Sequence, residues 1–142
     1  MSNYQLNRAL ESFVMVNMDR ASSGLLLEQY PGASAAYSLR LLDSTYTGNC
    51  IKVRRDSDNV EQDIGFVLDA TTKAMVLDRG AITTFCGGAG SGIAGYISMW
   101  YDQSGNGLDL IQVTGTSQLY IVTNGDTFYL WNGHPRVKDS GR

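Results

Sequence analysis

Oxygen-bearing side chains recur through Asp102-Gln103-Ser104-Gly105-Asn106-Gly107-Leu108-Asp109, the way a short loop wraps a hard cation such as calcium. The distal bidentate glutamate that closes a helix-loop-helix calcium site is missing, and Asx-rich turns form for backbone reasons alone. Asp102, Ser104, Asn106 and Asp109 thus rank as a calcium loop only behind the plain turn, and the expectation is no bound metal. Glycosidic cleavage needs two carboxyl groups about 5 to 9.5 Å apart. Asp56, Asp58, Glu61, Asp63, Asp102 and Asp109 are the candidates, and no spacing sets two of them at that separation. His134 is the only histidine, so any Ser-His-Asp or Cys-His arrangement must use it. It sits beside Pro135 in a polar tail with no orienting acid in view. Cys50 and Cys86 lack zinc-site spacing and read as buried thiols. Gly87-Gly88-Ala89-Gly90-Ser91-Gly92 lacks the Lys-Ser/Thr of a phosphate-binding loop and reads as a plain loop. No cofactor is expected.

The aromatic residues offer a different chemistry. Tyr96, Trp100, Tyr101, Tyr120, Phe128, Tyr129 and Trp131 could together make a platform on which sugar rings stack, although aromatics at strand spacing are more often core. Phe13, Trp100, Tyr101, Tyr129 and Trp131 are the candidates for an interface or a glycan contact. Around them, the run Ile97 to Tyr101 stops at a polar, glycine-rich turn, as an organising strand and corner would. If it is a strand, Trp100 and Tyr101 fall on opposite faces.

Composition limits the possibilities further. A chain of 142 residues is one domain in size, and sixteen glycines, two prolines and eight tyrosines lean towards β structure. A formal net charge of −3 gives no broad attraction for phosphate backbones, and Lys52, Arg54 and Arg55 read as one solvated strand face. Neither nucleic acid nor membrane is an expected partner: no run of eighteen apolar residues occurs, and the start lacks the features of a secretory signal.

Several elements can be placed along the chain. Residues 1–30 carry Leu6, Leu10, Phe13 and Val14 at helical spacing, with a strand over 13–18 equally acceptable. Tyr30-Pro31-Gly32 is a turn that opens a second unit, 31–142. Ala33 to Leu42 fits a short helix. Cys50 to Phe66 alternates in period two around Asp56-Ser57-Asp58-Asn59 and predicts a hairpin. Asp69 to Cys86 fits a short helix stopped by Gly87-Gly88. Leu108 to Val113, Gln118 to Val122 and Thr127 to Trp131 are strands, with hairpin signals at Asn124-Gly125 and Asn132-Gly133.

Ala35-Ala36-Tyr37-Ser38-Leu39-Arg40-Leu41-Leu42, Tyr46-Thr47-Gly48, Ile51 to Asn59, Asp63-Ile64-Gly65-Phe66, Phe85-Cys86-Gly87 and Trp100 to Gly107 together form one pattern. It resembles the opening of the catalytic domain of arabinofuranosidase B, and more closely the related modules of bacteriophage tail and virion proteins, over about residues 30 to 137. The resemblance implies a mainly β fold with short helices, a partial concanavalin-like or laminin-G-like β-sandwich, preceded by residues 1–30 as an attachment or oligomerisation segment. In the glycosidase relatives the catalytic carboxylates lie further downstream than any position here, so no catalytic residue is carried over. The expectation is a non-enzymatic virion structural protein, tail- or fibre-associated, made in the host cytoplasm. Its expected partners are other virion proteins, further copies of itself and a host-surface glycan. The alternatives are an amino-terminal fragment of an arabinofuranosidase B-like hydrolase and a carbohydrate-binding module.

Overall fold

The computed structural model describes residues 24–139; Phe13 and the helix or strand expected within 1–23 lie outside them. The protein is mainly β with a few short helices. Helix α1 (Leu26–Gln29) leads into an extended segment, then β1 (Ile51–Arg55), β2 (Glu61–Ile64), β3 (Phe66–Leu68), β4 (Met75–Leu77), helix α2 (Arg79–Phe85), β5 (Gly95–Trp100), β6 (Leu110–Ile111), a 3-10 turn (Gly115–Ser117), β7 (Leu119–Thr123), β8 (Thr127–Phe128), β9 (Leu130–Trp131) and β10 (His134–Pro135). A six-stranded sheet runs in the order β2-β1-β5-β7-β8, with β6 also paired to β5. Its pairings are antiparallel. The pairs β3-β4 and β9-β10 form two small separate ribbons.

Strand β1 sets the two faces of the sheet. Ile51 and Val53 are buried and Lys52 and Arg54 lie on the opposite side, as period-two alternation requires. On β5, Val53 faces Ile97 while Lys52 faces Met99, so Ser98 is the extra residue of a β-bulge. The bulge turns both Ser98 and Met99 to the outer face, which is how bulges re-aim side chains. Gly95 is required by close approach: a Cβ there would lie 2.8 Å from Val122 Cγ1 and 3.0 Å from Val53 Cγ1. The inner face packs Ile51, Val53, Ile97, Ile121 and Val122 against Ile64, Leu77, and Ile82 and Phe85 of α2. Each such aliphatic side chain contributes roughly 1.5–3 kcal/mol on full burial.

Helix α2 is shorter than the spacing over 69–86 predicts. Asp78 caps it by accepting from Ala81 N at 2.9 Å, and Gly87 and Gly88, both at φ +82°, stop it. Residues 66–77 instead form the β3-β4 ribbon, turned at Lys73 with φ +57°. The helix expected over Ala33 to Leu42 is absent. That segment is extended because its backbone bonds elsewhere: Leu41 N donates to Met75 O, and Leu77 N to Leu39 O. The strand expected over Leu108 to Val113 is only Leu110–Ile111, followed by one further backbone bond from Gln112 N to Ser98 O at 2.9 Å. The strand expected over Thr127 to Trp131 divides at Tyr129 into β8 and β9. Both Asn-Gly hairpins form, with Asn124, Gly125, Asn132 and Gly133 at positive φ. Among the described residues no helix is long and apolar enough to cross a membrane.

Candidate functional site

The polar turn after β5 is a structural joint. Asp102 is 4% exposed. Its Oδ1 accepts from Ala36 N and Ser104 N, both at 2.8 Å, and its Oδ2 from Ser104 Oγ at 2.7 Å and Leu108 N at 3.1 Å. Burial alone would raise its pKa, but these bonds, led by the Ser104 and Ala36 amides, hold it down at about 2. Asp109 accepts from Asp102 N, and the Asn106 amide donates to Ala33 O and Ser34 O. The Asp102 and Asp109 oxygens that suggested a calcium loop thus accept from backbone amides. Gln103 completes the joint: its Oε1 accepts from Leu42 N and its Nε2 donates to Ser38 O and Arg40 O. One turn therefore pins the whole extended segment 36–42.

Polar groups on the outer face of the sheet are arranged differently. There the outward residues of β1, β5 and β7 floor a groove of about 880 Å³, overhung by residues 111–118. Arg54 stands over the Tyr96 ring, 4.8 Å from its centre. Tyr96 packs on Tyr120 with ring centres 4.4 Å apart and donates its hydroxyl to Tyr120 Oη at 2.9 Å. Burial, then this hydrogen bond, pushes the Tyr96 hydroxyl up to about 12, so it stays a protonated donor at neutral pH. Tyr120 lines the groove beside it. Gln118, buried on β7's approach, accepts from Arg54 Nε at 2.7 Å and donates to Gln112 O at 2.8 Å. It fixes the overhanging loop to the floor. Arg54 also donates to Asn59 Oδ1 at 2.8 Å, and Ser98 and Lys52 extend the polar floor.

The carboxylates divide between structure and surface. Asp56 accepts from Ala94 N, and Asp58 is held by a two-pronged contact from Arg55 at 2.7 and 2.8 Å. That contact, first, and the Val60 amide, second, hold Asp58 at about 2. Glu61 and Asp63 share the outer face of β2, opposite Arg54 and Lys52. Only Glu61 borders the groove; Asp63 pairs with Lys52 at 3.8 Å and accepts the Tyr101 hydroxyl at 2.6 Å. Cys50 and Cys86 are buried free thiols. Burial pushes Cys50 up to about 12 and Cys86 in the same direction, which makes both poor nucleophiles.

Of the aromatic candidates, Trp100 faces Ile51 and packs against the core. Tyr101 binds Asp63, Tyr129 lies under Lys138 Nζ at 4.8 Å, and Trp131 is 68% exposed on β9. None of these four lines the groove. Tyr96 and Tyr120, named above only as part of a wider platform, do. Arg54 and Gln118 were missed as site residues; the outward period of β1 gave Arg54's face, but nothing local marked Gln118.

The groove's lining residues, from Lys52 to Tyr120, all lie within a stretch that carries a family signature. The family model described as alpha-L-arabinofuranosidase B, catalytic, matches residues 28–127. That is well over half of the chain, and the protein belongs to this family. No curated protein and no solved structure matches it.

Proposed function

We propose that the outer-face groove binds an arabinose-bearing polysaccharide, and that the described module holds the glycan without cleaving it. The observation that carries this reading is the floor built from Arg54, Tyr96 and Tyr120 under the Gln118-anchored loop. Furanose rings present C–H faces and hydroxyl edges, and such a floor offers aromatic surface, polar side chains and an open trough of about 880 Å³. Family membership favours this hydrolase-related reading over a virion structural role. Against turnover stands the supply of acid and nucleophile: one carboxylate, Glu61, borders the groove among the described residues, where the chemistry needs two. The test is retardation in arabinan-containing gels together with an aryl arabinofuranoside assay. Retardation without turnover is expected. Turnover abolished by Glu61→Gln would overturn the non-hydrolytic part, and no retardation would overturn the groove.

A second reading is assembly within a phage particle, through further copies of this chain or other virion proteins. It is favoured by Leu108, Leu110, Ile111 and Val113, exposed large apolar residues along one short stretch of the kind subunit interfaces bury. Sedimentation decides it. A self-associating species at tens of micromolar, dispersed by Ile111→Lys with Val113→Lys, is its expected outcome, and a monomer would remove it.

A further inference from the structure

Asn-Gly occurs three times in the chain, at 106–107, 124–125 and 132–133. Glycine places no side chain over its own amide nitrogen, so that nitrogen can reach the side-chain carbonyl carbon of the asparagine before it. The reaction needs an unbonded glycine amide, an asparagine side chain free to turn towards it, and water. Asn124-Gly125 offers none of these. Gly125 is buried, its N donates to Ile93 O at 2.8 Å, Asn124 O accepts from Gly90 N at 3.1 Å and Asn124 Oδ1 accepts from Gly92 N at 3.0 Å. Asn106-Gly107 is exposed but tied by its leaving group: Asn106 Nδ2 donates to Ala33 O at 3.1 Å, Ser34 O at 3.0 Å and Ser104 Oγ at 3.1 Å. Asn132-Gly133 is the exception. Both residues are exposed at the tip of the β9-β10 ribbon, which is held by two residue pairs. Among the described residues neither the Asn132 side chain nor Gly133 N has a hydrogen-bond partner, and a Cβ at Gly133 would meet nothing within 4 Å.

We propose that Asn132 is a site of spontaneous covalent modification, the one Asn-Gly pair that the folded chain leaves open to deamidation. Gly133 N gives its proton to hydroxide and attacks Asn132 Cγ. The N–Cγ bond forms, the Cγ–Nδ2 bond breaks, and the departing nitrogen takes a proton from water and leaves as ammonia. Water then opens the resulting cyclic imide. Attack at Cγ gives aspartate; attack at the main-chain carbonyl gives isoaspartate, with the chain now running through the former side chain. Nothing is oxidised or reduced. Either product places a new negative charge two residues before His134. The isoaspartyl form also lengthens the backbone by one carbon inside the turn that sets Trp131 opposite His134, so the ribbon loses its register. The site is separate from the glycan groove and does not depend on it.

The test is to hold the full chain at mildly alkaline pH for days, folded and in guanidinium, and to follow amide-to-acid conversion at each asparagine by mass spectrometry, with fragmentation that separates aspartate from isoaspartate. In guanidinium the three Asn-Gly pairs share one local chemistry and should convert within about threefold of one another. In the folded chain Asn132 should convert at least about tenfold faster than Asn106 or Asn124, because those two must first break their hydrogen bonds by local opening. Isoaspartate should be among the Asn132 products. The proposal is overturned if folded Asn132 converts no faster than the other two. It is equally overturned if folding slows Asn132 as much as it slows Asn124, which would mean that the turn itself holds Cγ away from Gly133 N.

Discussion

The turn after β5 and the groove over β1, β5 and β7 are both rich in polar side chains, yet they use them in opposite directions. In the turn, Asp102 and Gln103 are almost fully buried and spend their oxygens and nitrogens on the backbone of residues 36–42, 104 and 108. In the groove, Arg54, Tyr96 and Tyr120 are half-buried, braced against one another by side-chain contacts, and line an open trough. Polarity alone thus says nothing about function. What separates a joint from a binding surface is whether each donor and acceptor already has an internal partner.

The sharpest way to break this comparison is to remove the joint's acceptor. Asp102→Ala strands the amides of Ala36, Ser104 and Leu108, and we expect it to lower stability by about 3 kcal/mol or more, read from the urea midpoint. Chelator should not change the wild-type melting temperature. A fall of several degrees, restored by calcium, would make the turn an ion site and erase the distinction.

Acid should reveal the same asymmetry. The folded-state pKa of Asp102 is about 2, below the roughly 3.9 of an unfolded aspartate. Its contribution is therefore present above pH ~4 and is lost as the pH falls towards ~2. Asp58, held down chiefly by Arg55, follows the same sign at an exposed site. Melting temperatures between pH 5 and 2 should drop for the wild type and drop less for Asp102→Asn, whereas a Tyr120 variant should follow the wild type.

Gln118 sharpens the comparison because it belongs to both regions in kind: buried like the joint, yet bracing the groove. Gln118→Ala should cost about 1–3 kcal/mol and also weaken glycan binding by releasing the overhanging loop. A variant that loses stability and binds normally would mean that the loop takes no part in recognition.

The sequence made part of this legible. The alternation Ile51, Lys52, Val53, Arg54 gave both the β1-β2 hairpin and its wet face, and the Asn-Gly pairs at 124 and 132 marked turns that form. Such signals are local. Ala33 to Leu42 reads as a helix because its periodicity is real, and it is extended because Asp102, Gln103 and β4 supply its backbone partners from more than thirty residues away. The groove was hidden for the same reason. Tyr96 and Tyr120 become a pair only through the β5-β7 register, and the bulge at Ser98 alters which side chains share that face. Trp100, Tyr101 and Trp131 drew attention by residue type, but type does not reveal that one packs on the core, another binds Asp63, and the third sits on a separate ribbon.

Calorimetric titration with a linear arabino-oligosaccharide, comparing the wild type with Tyr120→Phe and Tyr120→Ala, tests the groove most directly. Tyr120→Phe leaves the Tyr96 hydroxyl without its partner and should cost about 1–2 kcal/mol of stability while weakening binding severalfold, and Tyr120→Ala should weaken binding about tenfold or more. Binding at wild-type strength in both folded variants would contradict the account and move the glycan site off this face of the sheet.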